Sequence, residues 1–450
     1  MPTDTIASLA PQVASGAIRS ERLTEDALSV ITRLQPSLNA FITVTADEAL
    51  ALAREADRDI AAGRYRGPLH GIPLSLKDLI DIAGVTTTAA SKLREGCVAL
   101  HDAPVVRHLR DAGAVFVGKT NLHEFAFGTT NEDSAWGPAR HPDDPTRSPG
   151  GSSGGSAIAV RTGMSIASVG TDTGGSIRIP AAACGIVGLK PGWGEVSAAG
   201  VVPLSRQLDH VGPLARSVHD AELLYNVLRG AGANSGDEDD VETLFGLKLA
   251  ALDGYFAERL SDEVDAGISA ALALLRQQGA KISTASIFHA QDIAPIYLHL
   301  VLADAAAYHA AALQRRPHAY TDNVRIRLEM GRHVLAEDYV RATRGRQVIT
   351  HEVEQALAGV DALVLPALAI EAPPIGAATV PVMGGQESVR NVMLRCTQPF
   401  NLSGHPAISL PCGSSKAGLP IGLQLVGHAG RTPELLRVAR AVERVLNSRG

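Results

Sequence analysis

A chain of 450 residues with 45% apolar and 20% charged residues is long enough to bury a large core, which excludes disordered and fibrous classes. Lys and Arg number 41 against 47 Asp and Glu, a formal net charge of −6, and no basic stretch is interleaved with aromatics, so no nucleic-acid partner is expected. The four cysteines (Cys97, Cys184, Cys396, Cys412) lack metal-site or redox spacing, the start has no leader pattern and no run of 18 apolar residues occurs, so a cytoplasmic protein without a membrane partner is expected.

Residues 24–34 and 46–62 carry apolar side chains at helical spacing with charges between them, predicting two amphipathic helices in an N-terminal layer over about 1–65. After Gly67, GIPLSLKDLIDIAG predicts a buried strand ending near Lys77. PVVRHLRDAGAVFVGKT reads as helix, glycine turn and strand, and SAIAVRTGMSIASVGTD repeats that order. Further along, KLAALDG, ALVLPAL, AISLPCG and IGLQLVG predict strands, and 262–278, 292–314, 336–358 and 433–447 predict helices. GAGANSGDEDD at 230–240 predicts an exposed connection. The alternation implies an α/β fold: a single large domain with a central twisted mixed β-sheet sandwiched between α-helices. Its stretches are the helical layer, a core at about 66–230, a variable stretch at about 231–350 and a C-terminal sheet and helix at about 351–450.

SPGGSSGGS at 148–156 has three readings. Glycine and serine dominate flexible linkers, but a helix-forming segment begins at once here. A phosphate cradle needs a following Lys and Ser or Thr, which is missing. G-x-S-x-G occurs twice, at Ser152 and Ser153, yet RHPDDPTRSPG before it is a loop and not the strand an elbow requires. No HExxH occurs, and nothing local distinguishes His210 or His405 as a catalytic base.

GIPLSLKD (71–78), PGGSSGGSA (149–157) and GTDTGGSIRIPAAACGIVGLKP (170–191), in that order, resemble the amidase signature family of serine hydrolases. LHEFAFGTTNEDSAWGP (122–138), LDHVGPLARSV (208–218), NLSGHPAISLPCG (401–413) and GLPIGLQLVG (418–427) extend the resemblance over most of the chain except about 231–350. It implies Ser176 as nucleophile, Ser152 as a bridging serine 24 residues earlier and held in a cis peptide after Gly151, and Lys77 as base.

The chemistry suits these residue types. A serine hydroxyl needs a base to take its proton, and a lysine serves only when neutral. At its ordinary pKa of about 10.4, roughly one lysine in 2,500 is neutral at pH 7. Burial and the charge of Arg178 are expected to lower that value at Lys77. A hydroxyl both donates and accepts, so Ser152 can relay the proton. In TDTGGS the glycines let the N–H groups of Thr173, Gly174, Gly175 and Ser176 converge as an oxyanion hole. The resemblance further implies that Asp172 and Arg178 brace this loop and that Gly128, Thr129 and Thr130 line an acyl pocket. Cys184 reads as a core residue, and Glu124 and Arg140 as structural. Gly192, Glu195 and His141 depart from the family's usual Thr, basic residue and Asn.

The expected activity is hydrolysis of a linear amide to an acid and ammonia or an amine, through an acyl-enzyme, by a homodimer needing no metal or cofactor and acting on a small-molecule amide. Two alternatives share the motifs. One is the A subunit of a tRNA-dependent amidotransferase, which uses glutamine and passes ammonia to partner subunits. The other is a hydrolase of urea-like acids such as carboxybiuret or allophanate, which a cation recognising the substrate carboxylate would favour.

Overall fold

The computed structural model describes residues 4–232 and 244–448, so 233–240 of the predicted connection lie outside the described residues. In chain order the strands are β1 (Phe41–Val44), β2 (Pro73–Lys77), β3 (Val115–Thr120), β4 (Ala167–Asp172), β5 (Val187–Lys190), β6 (His210–Ala215), β7 (Lys248–Leu252), β8 (Lys281–Ala285), β9 (Ala362–Pro366), β10 (Thr379–Val382), β11 (Gly385–Ser388), β12 (Ala407–Ser414) and β13 (Pro420–Val426). The α-helices are α1 (Ile6–Ala14), α2 (Ser20–Leu38), α3 (Ala46–Ala61), α4 (Pro104–Asp111), α5 (Gly154–Thr162), α6 (Arg178–Cys184), α7 (Val218–Leu228), α8 (Asp262–Gln277), α9 (Ile293–Arg315), α10 (Asp322–Gly331), α11 (Ala336–Leu357), α12 (Val389–Leu394), α13 (Pro399–Leu402) and α14 (Thr432–Asn447).

A strand buried at every position needs cover on both faces, and β2, β3, β4, β5, β6, β9 and β13 are all of this kind. They sit inside one mixed sheet of 11 strands, ordered β1-β3-β2-β4-β6-β5-β12-β13-β9-β7-β8, while β10 and β11 form a separate hairpin. Polar, partly exposed β8 is one edge, as its residues KISTA suit. Helices α2, α3, α5 and α6 pack on one face and α1, α4, α7, α8 and α14 on the other, with α9, α10 and α11 packed together beside them. Strands from all four predicted stretches join this one sheet, so the fold is a single α/β domain with a large mixed sheet flanked by helices.

Departures from the predicted elements have local causes. α2 extends the predicted 24–34 helix at both ends; Pro36 is tolerated in its last turn, and Asn39 at φ 50° ends it. Pro11 obscures α1 in the sequence, yet Ile6, Leu9, Ala10 and Val13 form its buried stripe, and Asp220 accepts from the Ile6 N–H at 2.8 Å. β6 contains Gly212 and Pro213, residues that argue against an interior strand, although it pairs with both β4 and β5. Residues 290–315 are long and apolar enough to cross a bilayer; in this fold Ile293, Tyr297, Leu300, Val301 and Ala305 of α9 are buried in the core.

Candidate active site

β2 lies between β3 and β4, parallel to both, which carries Lys77 at its C-terminal end into the middle of the sheet. The strand stops there because the N–H groups of Leu79 and Ile80 both turn back to the Lys77 carbonyl, at 2.7 and 3.0 Å. Lys77 is fully buried. Its Nζ donates to Ser152 Oγ at 2.8 Å and to Thr171 Oγ1 at 2.7 Å. Burial pulls its pKa down to about 7, against the charges of Asp172 and Asp209, which raise it. Arg178, expected from the sequence to share in this lowering, is not among its causes; its guanidinium is paired with Asp172.

Ser152 follows Gly151 through a cis peptide bond. A Cβ on Gly151 would sit 2.8 Å from the Asn131 nitrogen and 3.0 Å from Thr129 C and Thr130 N, so the cluster is packed against the 129–131 backbone and is no linker. The Ser153 N–H donates to the Ser176 carbonyl at 3.2 Å, laying the two serine segments side by side. Among the described residues no hydrogen bond joins the Ser152 and Ser176 hydroxyls. Of the three residues Lys77, Ser152 and Ser176, the first two are wholly buried and Ser176 retains 6% exposure, so the last of them is the one that solvent reaches.

The TDTGGS turn is held from below. Arg178 Nε and Nη2 grip the Asp172 carboxylate at 3.0 Å each, and its remaining donors reach Thr397 O (2.9 Å), Gln424 Oε1 (2.7 Å) and Asn401 Oδ1 (2.6 Å). Burial alone would raise the Asp172 pKa; the charge and hydrogen bonds of Arg178, with Lys190 and Asn401, overcome it and hold the carboxyl well below its ordinary range. Gly175 lies at φ 140°, and a Cβ there would collide with Thr397 Oγ1, so only glycine fits. Its N–H donates to Asp172 Oδ1 at 2.7 Å. That corrects the expected set of oxyanion donors: Gly175 braces the loop, whereas the N–H groups of Thr173, Gly174 and Ser176 have no partner among the described residues.

Several contributors escaped sequence reasoning. Asp209, half-buried, accepts from Thr173 Oγ1 at 2.6 Å and from the N–H groups of Leu204 and Ser205. Burial pushes its pKa up to about 6 against those hydrogen bonds and the Lys77 charge. Tyr297 of α9 places its hydroxyl where a side chain on Gly174 would be, and Leu394 of α12 closes the same spot at 3.1 Å. Asp209, Asn401 and Gln424 lie inside quoted motifs, which was the available signal; Tyr297 lies in the variable stretch and had none.

The remaining candidates separate. Thr129 is buried and Thr130 half-buried, the latter's carbonyl accepting from Ser148 Oγ at 2.6 Å. Gly128 abuts the His123 ring, where any side chain would collide. Glu124 accepts from Thr321, and Arg140 donates to the Pro145 carbonyl. Cys184 is buried, its thiol pKa pushed up by burial. His210 and His405 are buried with lowered pKa values, His210 Nδ1 paired to the carbonyl of Leu208, and among the described residues neither is hydrogen-bonded to a carboxylate. Two departures from the family pattern are coupled: a Cβ at Gly192 would sit 2.5 Å from Glu195 Oε1, while Glu195 Oε2 accepts from Tyr225. His141 bonds the Ala183 carbonyl at 2.8 Å.

Known proteins share this arrangement's framework. Residues 22–436 match the family described as Amidase. The chain is 39% identical to the A subunit of a Glutamyl-tRNA(Gln) amidotransferase from Roseiflexus sp. (strain RS-1), over 96% of this chain and 94% of that protein. A crystal structure of an amidase superposes with TM-score 0.91 at 36% identity, over 98% of this chain and 99% of that one. A protein from work on a vestigial complex and the origins of an s-triazine catabolic enzyme superposes with TM-score 0.92 at 32% identity, over 99% of each chain. A sheet, a buried lysine and two serine clusters in this order, matched over nearly the whole length, place the chain in the amidase signature family of carbon–nitrogen hydrolases and amidotransferases.

Proposed function

We propose that the chain cleaves a carboxamide C–N bond through an acyl group on Ser176. The single observation that carries this reading is Lys77: a lysine with a pKa of about 7, fully buried and 2.8 Å from Ser152 Oγ. Lys77, neutral, draws a proton from Ser152, which draws one from Ser176 as it attacks the carbonyl. The N–H groups of Thr173, Gly174 and Ser176 receive the developing oxyanion. Collapse of the tetrahedral intermediate returns the proton to the leaving nitrogen, and water then releases the acid.

Within this chemistry the relatives support the amidotransferase reading over that of a free-standing hydrolase of linear amides, since relatives 38–39% identical over at least 96% of this chain carry that name. On that reading glutamine supplies the amide and ammonia passes to partner subunits. The expectation that small molecules are the sole partners is not supported by relatives named for a tRNA and for one subunit of an assembly. The test is intact-mass detection of an acyl adduct after brief exposure to glutamine and to aliphatic, aromatic and urea-type amides, with ammonia release measured alongside. An adduct that maps to Ser176 and disappears in Ser176→Ala is expected. Turnover retained by Ser176→Ala overturns the reading.

A further inference from the structure

A buried ion pair recovers in attraction little more than it loses in hydration, so stability alone does not account for one. Of the ion pairs among the described residues, two have both side chains wholly buried: Arg178 with Asp172, which braces the turn carrying Ser176, and Lys119 with Asp78, 2.9 Å apart. The second stands against Lys77.

Asp78 follows Lys77 directly, and consecutive side chains on a strand leave by opposite faces, so Lys77 turns toward Ser152 and Asp78 away from it. Lys119 of β3 is in register with Leu76, which puts it on the face of Asp78. Every polar group of Asp78 is occupied. Its N–H donates to the Thr120 carbonyl at 3.1 Å, and its carbonyl accepts from the Ala89 N–H at 2.9 Å. One carboxylate oxygen accepts from the Thr88 N–H at 3.0 Å and from the Thr88 hydroxyl, and the other meets Lys119 Nζ. Lys119 also donates to Thr87 Oγ1 at 3.1 Å. The turn that supplies these groups is itself constrained: Ala89 and Ala90 lie at φ 53° and 55°, a left-handed conformation that alanine rarely takes, and both are wholly buried. Their carbonyls accept from the N–H groups of Phe125 and Ala135 at 2.9 Å each, so the same turn steadies the segment leading to the 129–131 backbone behind Gly151.

The pair is also neutral as a unit. The charges acting on Lys77 are Asp172 of β4, itself paired with Arg178, and Asp209 before β6; adjacent Asp78 is not among them, as expected of a carboxylate offset by Lys119.

We propose that Asp78 and Lys119 are positioning residues for the reaction, a brace on the far face of β2 that aims the Lys77 amine at Ser152 without adding net charge beside it. This rests on the reading of Lys77 as the base for Ser176.

Phenylmethanesulfonyl fluoride reports on that base whatever amide the chain takes: the Ser176 oxygen bonds to sulfur, fluoride leaves, and the serine proton passes through Ser152 to Lys77. The second-order labelling rate is read by intact mass from about pH 5 to about pH 9. Asp78→Asn leaves the Lys119 charge and should move the acid limb to lower pH by about half a pH unit or more; Lys119→Met leaves the Asp78 charge and should move it to higher pH by as much. Combining Asp78→Asn with Lys119→Met removes both charges, so the limb should return to its wild-type position while the alkaline plateau falls on the order of tenfold, because the amine is less well aimed. Circular dichroism verifies the fold, and the double variant, which strands no charge, carries the test if a single variant does not fold. Limbs that stay in place in both single variants, or a double variant with the wild-type plateau, overturns the brace. Labelling of Lys77→Ala at the wild-type rate overturns the base reading and the brace with it, whereas an inert Lys77→Ala beside an Asp78→Asn identical to wild type overturns the brace alone.

Discussion

Every donor of the Arg178 guanidinium has a protein acceptor, two of them on Asp172, whereas Arg390 across the same site has a buried Nε with none among the described residues. The floor of the site, built from β2, β4 and the turn into α6, is internally complete. On the wall opposite, built from α9, α10 and α12, Arg327 and Arg390 take part in no ion pair among the described residues.

That contrast can be broken hardest at the floor. Ser176→Ala should lower amide turnover by about 10⁴-fold or more, measured as ammonia release, because the nucleophile itself is gone. Arg178→Ala should lower stability by about 3–5 kcal/mol in denaturant titrations, since it strands the buried Asp172 carboxylate. A milder intervention sharpens the comparison through pH. Lys77 works as a base only when neutral, so kcat/KM should fall about tenfold per pH unit below about 7 and level off above it. The charges facing Lys77 are Asp172 and Asp209, both of which raise its pKa, so Asp209→Asn should move that acid limb to lower pH. Loss of the Thr173 anchor should also reduce kcat, on the order of tenfold. A merely structural Asp209 would leave the inflection in place. The smallest effect belongs to neither region: Lys416→Ala, removing a pair to Glu263 in which the lysine is 93% exposed, should leave turnover and unfolding midpoint unchanged.

Legibility in the sequence follows the same division. Lys77 can be found because an apolar strand bounded by glycine and proline ends on it, and the serine clusters because glycine spacing is local. The alternation of helix and strand between 104 and 172 survives because each element carries its own period. Pro213 hides β6, and an alternation too polar to register hides β8. Tyr297 and Arg390 become visible only when α9 and α12 close over Gly174, from positions more than a hundred residues beyond it. Which N–H groups of the TDTGGS turn stay free depends on the orientation of the Asp172 carboxylate, and Gly175 is misplaced among them for that reason.

The acceptors that immobilise Arg178 come from Thr397, Asn401 and Gln424, far downstream of the loop they steady. A nascent chain that has emerged only through α7 already contains Lys77, Ser152 and Ser176, yet has nothing to anchor the guanidinium on that side. The brace on Arg178 is therefore complete only when the chain through β13 is in place, so a truncation after α7 would leave that guanidinium short of three acceptors.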